Sequence, residues 1–277
     1  MVNRICISIN NRCNLNCSYC HFHENGKHIQ SKEMNVFFIL DNVKKYIRKY
    51  NVRHFKIGFV GNGEPLLDYE MLYDYILYIE EYLNSDTISA YTISNGLLAD
   101  EEKLLFFRKH NVNVGFSIDG IKEVHDKLRC NSYDRVMCAI QLYHIINSTY
   151  PSMNCTVGRD VLLHQKETID FFAQFNNRIT FSRMIGSDGI SLEEFRMFTN
   201  EAAKTLNVRT GGYDCTMYGG MCGAGVNNYF FANGQVFLCG NCIDLPMSFS
   251  SNTPLDEIDF QVPSFDRNCC FKECCKK

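Results

Sequence analysis

Strand-like and helix-like segments alternate from residue 4 to residue 184, and this order is the feature that most restricts the fold. Short apolar runs predict strands, and apolar residues three or four apart predict the helices between them. Repeated strand–helix units build a parallel sheet covered by helices, so the pattern predicts an α/β fold; periodicity alone suits a flat sheet and an open barrel equally. The predicted strands are 4–9, 55–60, 88–93, 112–118, 153–158 and 178–184, and the predicted helices are 33–50, a segment through Leu72, Ile76, Ile79 and Leu83, 100–110, 133–148 and 164–175.

Residues 208–277 have a different character, because the alternation stops and cysteines accumulate among glycine pairs and turns. A region this small with little apolar periodicity needs a metal site to become ordered. We therefore expect two domains, a barrel-like one over 1–207 and a small cysteine-rich one over 208–277.

The 15 cysteines of the chain favour metal binding over a disulfide framework. Disulfide frameworks are typical of short secreted chains with paired cysteines, whereas this chain is long, has an odd number and begins without a signal peptide. A reducing, cytoplasmic compartment fits these features. The net charge of −3 and the absence of a basic block argue against nucleic acid, and no apolar run reaches membrane-span length. Four cysteines inside the strand and helix pattern are expected to be small buried side chains: Cys6, Cys130, Cys138 and Cys155.

Three thiols follow the first predicted strand closely, at Cys13, Cys17 and Cys20. Thiolates are the usual ligands of iron–sulfur clusters, and three ligands leave one iron of a four-iron cluster open. An open metal position is what a catalytic site keeps for a substrate or cofactor. On spacing alone, a zinc site completed by His21 or His23 is an equal alternative.

The stretch "CNLNCSYC", with Tyr19 before its last cysteine, resembles the signature of the radical S-adenosylmethionine superfamily. The resemblance continues through "GNGEPLL" (61–67), "SNG" (94–96) and "SIDGIKEVHDKLR" (117–129), each after a predicted strand. It implies a partial (β/α)6 TIM-like barrel with a catalytic 4Fe–4S cluster on the three cysteines. It also implies that S-adenosylmethionine binds the open iron, and that an electron from a donor such as flavodoxin or ferredoxin cleaves it to a 5′-deoxyadenosyl radical, which takes a hydrogen atom from the substrate.

The same resemblance implies roles for residues at the strand ends. Arg129 would pair with the cofactor carboxylate, although a solvated surface arginine is the alternative. Asp119 would contact the substrate or act as a catalytic base, while His125 and Asp126 would hold their loop. Asn62 interrupts the adjacent glycines usual in the family, so "GNGEP" could also be a plain turn. The predicted cofactor-binding residues are Gly61, Gly63, Glu64, Ser94, Asn95, Ser117 and Arg129.

The cysteine-rich region resembles the auxiliary-cluster extension, of the SPASM or shorter twitch type, found in peptide-maturing radical enzymes. Cys222, Gly234 and Cys239 have the spacing with which that extension begins, and "NYFFANGQVFLC" predicts a hairpin with an Asn-Gly turn that brings the two cysteines together. We expect one auxiliary 4Fe–4S cluster rather than two, with structural zinc as the rival. The expected ligands are Cys222, Cys239, Cys270 and Cys274, with Cys242, Cys269 and Cys275 as substitutes.

Together these motifs resemble sulfatase-maturing enzymes and the maturases of ribosomally made peptide natural products. The resemblance implies a peptide or protein substrate and an outcome such as epimerisation, a thioether or carbon–carbon cross-link, or oxidation to formylglycine. Cys215 is a candidate catalytic hydrogen donor or thioether-binding thiol; an extra cluster ligand and an inert residue are its alternatives. The competing functions are a radical dehydrogenase of a small molecule and a non-catalytic iron–sulfur sensor or electron carrier.

Overall fold

The computed structural model describes residues 1–20, 33–83, 87–184, 188–211, 224–243 and 247–260. Predictions on other residues lie outside these ranges, including those for Cys215, Cys222, Cys270 and Cys274, and for the substitutes Cys269 and Cys275. The zinc alternative at the first cysteines needs His21 or His23, which lie outside the described residues as well. Within the described part of the chain, no helix is long and apolar enough to cross a membrane.

Ten strands of the described residues form one sheet, and the first seven of them run parallel in chain order. The six predicted strands are all present, which confirms the α/β fold, and β7 is an addition that the sequence did not predict. The parallel strands are β1 (Arg4–Ile7), β2 (Phe55–Phe59), β3 (Ile88–Ser94), β4 (Asn113–Ser117), β5 (Ser152–Val157), β6 (Arg178–Arg183) and β7 (Asn207–Gly211).

Helices connect the parallel strands, and their starts follow from local capping. Asn35 precedes the first helix and accepts a hydrogen bond from the Phe38 backbone N–H at 3.1 Å, while Ser191 and Glu194 cap the last helix reciprocally. The sequence did not predict two short helices, which have only seven and five residues. It also did not predict the helix Leu192–Ala202, which follows the predicted alternation of strands and helices. The helices are α1 (Val36–Tyr50), α2 (Tyr69–Tyr82), α3 (Glu101–Lys109), α4 (Lys122–Leu128), α5 (Tyr133–Asn147), α6 (Arg159–Leu163), α7 (Gln165–Ala173) and α8 (Leu192–Ala202).

The two faces of the sheet are buried to different extents. Along β5 and β6 alternate side chains are buried, such as Met153 and Phe181, and the side chains between them are half-buried, such as Ser182. In a strand, alternation of this kind places one residue set against the helices and the other on the opposite face. The half-buried set lines the inner, polar face on which the candidate site lies.

The sheet curls instead of lying flat. Residues at the carboxyl ends of β2 to β6, from Gly61 and Ser94 to Thr156 and Ser182, line one cavity of about 480 Å³. Neighbouring strands lie about 4.8 Å apart, so β2 and β6 would be roughly 19 Å apart in a flat sheet. One cavity of this size joins their ends because the sheet curves, as in a partial barrel.

The cysteine-rich region continues the same sheet. Strand β8 (Asn228–Ala232) pairs in parallel with β1, and β9 (Gln235–Phe237) and β10 (Ser248–Ser250) follow in antiparallel order. The predicted hairpin is confirmed, and Asn233 and Gly234 form its turn at φ 53° and 72°. The division at residues 207 and 208 stays a prediction.

The four cysteines expected in the core differ in exposure. Cys155 is buried and Cys6 is half-buried, but Cys130 and Cys138 are exposed. Burial was the wrong expectation for these two, because Cys138 lies on the outer surface of α5 and Cys130 lies in the turn after α4 with φ 56°.

Candidate active site

A cavity of about 480 Å³ lies at the carboxyl ends of the parallel strands. Open α/β sheets and barrels bind ligands at this end, since the loops there converge from several strands. The structure brings ten residues of the predicted site to the wall of this one cavity: Cys13, Cys17, Cys20, Gly61, Gly63, Glu64, Ser94, Asn95, Ser117 and Arg129.

Glu64 joins the turn after β2 to the end of β3. One carboxylate oxygen accepts hydrogen bonds from the Ser94 hydroxyl at 2.8 Å and from the Leu66 backbone at 3.1 Å, and the other accepts from the Asn95 backbone at 2.7 Å. Burial raises the pKa of Glu64, while these three hydrogen bonds oppose the rise. The carboxylate therefore fixes the relative position of two strand ends.

Gly61 and Gly63 allow the chain before the cysteines to approach the β2 turn. A Cβ atom at Gly63 would lie 1.9 Å from the Asn10 side-chain oxygen and 2.3 Å from the Arg12 carbonyl, and one at Gly61 would lie 2.6 Å from the Ser8 Cβ. The Glu64 N–H donates to the Arg12 carbonyl at 2.7 Å across this contact. Both glycines thus have a packing role, and their predicted contact with a cofactor stays a prediction.

The first two thiols of the cysteine loop are partly screened from solvent by polar neighbours. Cys13 Sγ accepts from the Leu15 N–H at 3.5 Å and from Asn95 Nδ2 at 3.8 Å, and Arg129 Nη1 lies 4.0 Å from Cys17 Sγ. Burial raises the pKa of Cys13, and it raises the pKa of Cys17 to about 11 although Arg129 opposes the change.

The segment from β4 to α5 holds the cysteine loop in place. The Ser18 N–H donates to the Leu128 carbonyl at 2.9 Å, and the Cys130 thiol donates to the Asn16 carbonyl at 3.1 Å. Two further contacts join side chains, since Tyr19 Oη donates to Asp119 at 2.6 Å and the Arg129 guanidinium lies 5.3 Å from the Tyr19 ring centroid.

Asp119 is fully buried and forms three hydrogen bonds through its two oxygens. One oxygen accepts from the Thr156 backbone at 2.8 Å, and the other accepts from Tyr19 and from Arg129 Nε at 2.7 Å. Asp119 is not among the cavity-lining residues. This arrangement favours a positioning role, and the predicted catalytic role stays a prediction.

Arg129 is buried, with only 8% of its surface exposed, so the alternative of a solvated surface arginine is wrong. Burial would lower the pKa of this guanidinium, but the opposite charge of Asp119 raises it well above its usual range. The side chain is a fixed cation at the cavity wall. A guanidinium in that place suits a carboxylate ligand.

His125 and Asp126 hold the α4 loop. His125 Nδ1 accepts from the Asp119 backbone N–H at 3.2 Å, so its Nε2 carries the proton and donates to Ser132 Oγ at 3.0 Å. Ser132 in turn donates to the Arg129 carbonyl at 2.7 Å, and Asp126 accepts from the Tyr133 N–H at 2.9 Å. Burial lowers the pKa of His125 to about 4.

Several lining residues were not predicted, although their position could have revealed them. Thr156 lies at the end of β5, and Ser182 and Arg183 lie at the end of β6. The rule that selected Ser94 and Ser117, polar residues at carboxyl ends of strands, applies to them equally. This rule does not select Asn241, because Asn241 lies in the cysteine-rich region and not at the end of a parallel strand.

Two cysteines of that region lie together within the described residues. Cys242 is buried, and its Sγ lies 4.0 Å from the Sγ of half-buried Cys239, on the 3-10 turn Gly240–Cys242. Tetrahedral zinc with bonds of about 2.3 Å would separate two thiolates by roughly 3.8 Å. The 4.0 Å separation alone therefore does not distinguish a zinc site from an auxiliary cluster at Cys239 and Cys242.

The three thiols of the cysteine loop line a shared space. Within the described ranges, no three His, Cys, Asp or Glu side chains meet closely enough to bind one metal ion. A 4Fe–4S cluster instead takes each thiolate on a different iron, so its ligands surround a space. Cys13, Cys17 and Cys20 all line one cavity and meet this requirement.

A family model described as the radical SAM superfamily matches residues 7–172, which is more than half of the chain and includes the cysteine loop. The chain belongs to the radical SAM superfamily. It is therefore an enzyme of the class that uses a 4Fe–4S cluster and S-adenosylmethionine, which confirms that part of the sequence-based prediction.

Relatives within the superfamily include enzymes that mature other proteins. The chain is 26% identical over 168 residues to the cysteine-type anaerobic sulfatase-maturating enzyme of Clostridium novyi, an alignment that covers 58% of this chain and 45% of the relative. It is 27% identical over 192 residues to the radical SAM cyclopropyl synthase TigE of Paramaledivibacter caminithermalis, covering 64% of this chain and 40% of the relative. The chain thus spans less than half the length of these curated relatives.

The fold matches solved structures across nearly its whole length. The structure "Native anSMEcpe with bound AdoMet and Cp18Cys peptide" superposes with a TM-score of 0.73 at 19% identity, covering 96% of this chain and 81% of that chain. At this identity the likeness establishes the fold alone.

Proposed function

We propose that this radical SAM enzyme abstracts a hydrogen atom from a ribosomally made peptide or a protein substrate, as the first step of epimerisation or of thioether or carbon–carbon cross-link formation. The observation that carries the proposal is that three thiols, the Glu64 carboxylate with its hydrogen-bond partners and the Arg129 guanidinium all lie at one cavity. The peptide substrate is supported by the relatives, one of which is a sulfatase-maturating enzyme, and by the peptide bound in the structure with the same fold.

In this proposal Cys13, Cys17 and Cys20 hold the catalytic cluster. When bound, the cluster supplies the electron that cleaves S-adenosylmethionine to a 5′-deoxyadenosyl radical. Arg129 fixes the cofactor carboxylate, and Asp119 fixes Arg129 through its hydrogen bond to Nε. Glu64 holds Ser94 and Asn95 at the cavity wall, so that the polar groups are positioned before the ligand arrives.

The cysteine-rich region holds one auxiliary 4Fe–4S cluster in this proposal. Cys239 is one ligand, and the position of Cys242 beside Cys239 supports Cys242, already one of the predicted substitutes. Cys222, Cys270 and Cys274 complete the predicted set from outside the described residues. Asn241 lines the catalytic cavity from the same turn, which supports a cluster that contacts the substrate or relays its electron. The reductant is a flavodoxin or ferredoxin of the cytoplasm.

Anaerobic turnover in deuterated buffer tests the reaction and separates its outcomes. Incubation with the peptide encoded beside this gene should form 5′-deoxyadenosine and a modified peptide, read by mass spectrometry. Epimerisation adds one solvent deuterium at Cα, with Cys215 as the proposed donor, whereas a cross-link removes two hydrogens. A peptide with neither change would contradict chemistry at Cα. Stimulation of 5′-deoxyadenosine formation by a small alcohol or sugar, and by no peptide, would replace the proposal with a radical dehydrogenase.

A further inference from the structure

The cysteine loop and the turn after α4 lie side by side and are joined by two hydrogen bonds. The Ser18 N–H donates to the Leu128 carbonyl at 2.9 Å, and the Cys130 thiol donates to the Asn16 carbonyl at 3.1 Å. The two bonds therefore lie on either side of the residue in the middle of each segment. We call this pair of hydrogen bonds the clamp.

The residues that the clamp encloses are Cys17 and Arg129. Arg129 Nη1 lies 4.0 Å from Cys17 Sγ, while its Nε donates to Asp119 at 2.7 Å. In the proposed function Cys17 holds the cluster and Arg129 holds the carboxylate of S-adenosylmethionine. One cofactor then joins the cluster to the guanidinium, so its affinity depends on where Arg129 lies relative to Cys17.

Cys130 occupies a backbone position that favours glycine. Helix α4 ends in a Schellman motif, in which the Asn131 N–H donates to the Asp126 carbonyl at 3.0 Å. Cys130 is the left-handed residue of this motif, with φ 56°. Glycine adopts this conformation without steric cost, whereas the Cβ atom of cysteine makes it unfavourable. The turn by itself therefore does not require a cysteine at this position.

The side chain of Cys130 contacts the cysteine loop and not the core. Cys130 is exposed, and its thiol donates to the carbonyl of the peptide unit directly before Cys17. Asn16 is exposed as well, so without the thiol water would pair with this carbonyl and the peptide unit would be free to rotate. The other bond of the clamp joins backbone atoms, and only the thiol bond depends on a side chain.

We propose that Cys130 is a positioning residue, whose thiol holds the peptide unit before Cys17 and so fixes the distance between Cys17 and Arg129. The inference rests on the proposed function for the places of the cluster and the cofactor, and it concerns the cofactor and not the peptide. Without the thiol the cluster still has its three ligands, but Arg129 is less well placed beside it. The thiol should therefore change the affinity for S-adenosylmethionine and leave the iron content unchanged.

Equilibrium binding of S-adenosylmethionine to the anaerobically reconstituted enzyme tests the role of Cys130. Iron content and the electron paramagnetic resonance signal of the reduced cluster are measured on the same samples. Cys130→Ala removes the hydrogen-bond donor, and Cys130→Ser keeps a donor at the same place. Cys138→Ala is the control for the loss of an exposed cysteine. Ser148→Ala is the control for alanine in the left-handed region, since Ser148 is exposed with φ 57°.

The Kd of Cys130→Ala for S-adenosylmethionine should be about fivefold higher than that of the wild type, because one hydrogen bond contributes a factor of this size. Cys130→Ser and both controls should stay within about twofold of the wild type. All four variants should have the iron content of the wild type. In Cys130→Ala, the change that S-adenosylmethionine causes in the signal of the reduced cluster should require correspondingly more S-adenosylmethionine.

An unchanged Kd in Cys130→Ala would overturn the inference, and so would an equal rise in Cys130→Ser, because the serine hydroxyl is also a donor. Loss of iron in Cys130→Ala would overturn it as well, since the thiol would then be needed for the loop itself. The binding measurement contains no peptide. The expected rise in an enzyme that modifies no peptide would support the positioning role and refute the proposed function, whereas an unchanged Kd in an enzyme that modifies a peptide would do the reverse.

Discussion

Asp119 links three separate parts of the chain through one buried carboxylate. Its partners Tyr19, Arg129 and Thr156 come from the cysteine loop, the turn after α4 and β5. Removal of one partner of a buried ion pair leaves the other charge uncompensated, at a cost of about 3–5 kcal/mol. Asp119 therefore orients the Arg129 guanidinium, whether or not Asp119 itself contacts the substrate.

Asp119→Asn should weaken the binding of S-adenosylmethionine by the reconstituted enzyme by about tenfold, because Arg129 loses the charge that orients it. Equilibrium binding, compared with the rate of the bound complex, measures this effect. Asp126→Asn is the matched control, since Asp126 lies in the same loop and keeps the oxygen that accepts from Tyr133. Normal binding with a lost catalytic rate would show instead that Asp119 is a catalytic base.

His125 should make folding stability fall in mild acid. Its pKa is about 4 in the folded chain and about 6.5 when exposed, so the unfolded state binds the additional proton. Stability is complete above pH 6.5 and is lost progressively as the pH falls towards 4, by about 3 kcal/mol in total. Burial is the main cause, Asp119 and Asp126 oppose it, and Arg129 and Lys122 support it.

Denaturant unfolding between pH 7 and 5 of the wild type and His125→Gln checks the His125 prediction. The free energy of unfolding of His125→Gln should depend less on pH than that of the wild type. His54→Gln, the same change at an exposed histidine, should keep the wild-type dependence on pH. Equal slopes in all three proteins would refute the assignment.

Among the elements of the site, the turn after β2 and the segment before the cysteine loop are packed without a gap. Gly63→Ala would put a methyl group within 2.3 Å of the Arg12 backbone carbonyl, which can move only with the loop. The variant should assemble less of the catalytic cluster and unfold more easily, by roughly 2 kcal/mol or more. Normal iron content in Gly63→Ala would contradict this account of the loop.

The sequence predicted the elements of the site more fully than their contacts. Apolar periodicity identified all six predicted strands, and motif positions selected ten residues that line one cavity. Two contacts of the site were not predictable from the sequence. The hydrogen bond between Glu64 and Ser94 joins residues 30 positions apart, and the one between Tyr19 and Asp119 joins residues 100 positions apart. Spacing along the chain reports local structure, whereas such pairs depend on how the strands are arranged in space.

At the scale of the whole molecule, the cysteine-rich region and the barrel share one sheet. Strand β8 pairs with β1 directly before the cysteine loop, so the region that carries Cys239 and Cys242 is attached beside the cavity that the three cysteines of this loop line. Parallel pairing between distant parts of a chain fixes their relative position through several hydrogen bonds. Asn241, which lies between these two cysteines in the chain, lines the same cavity as Cys13, Cys17 and Cys20.

Iron analysis tests the number of clusters in the whole chain. The reconstituted wild type should contain roughly eight irons, four in each of two clusters. Changing Cys239 and Cys242 to Ala should remove about four of them, whereas Cys138→Ala, at an exposed cysteine of α5, should remove none. About four irons together with zinc in the wild type would favour a structural zinc site, and about twelve would indicate two auxiliary clusters.

Formation of 5′-deoxyadenosine from S-adenosylmethionine by the chemically reduced enzyme tests the central claim most directly. The wild type should form it, and the variant in which Cys13, Cys17 and Cys20 are all Ala should form none while it keeps about four irons in the cysteine-rich region. That result would place the catalytic cluster on the three thiols of the cavity. Continued formation of 5′-deoxyadenosine by the triple variant would contradict it.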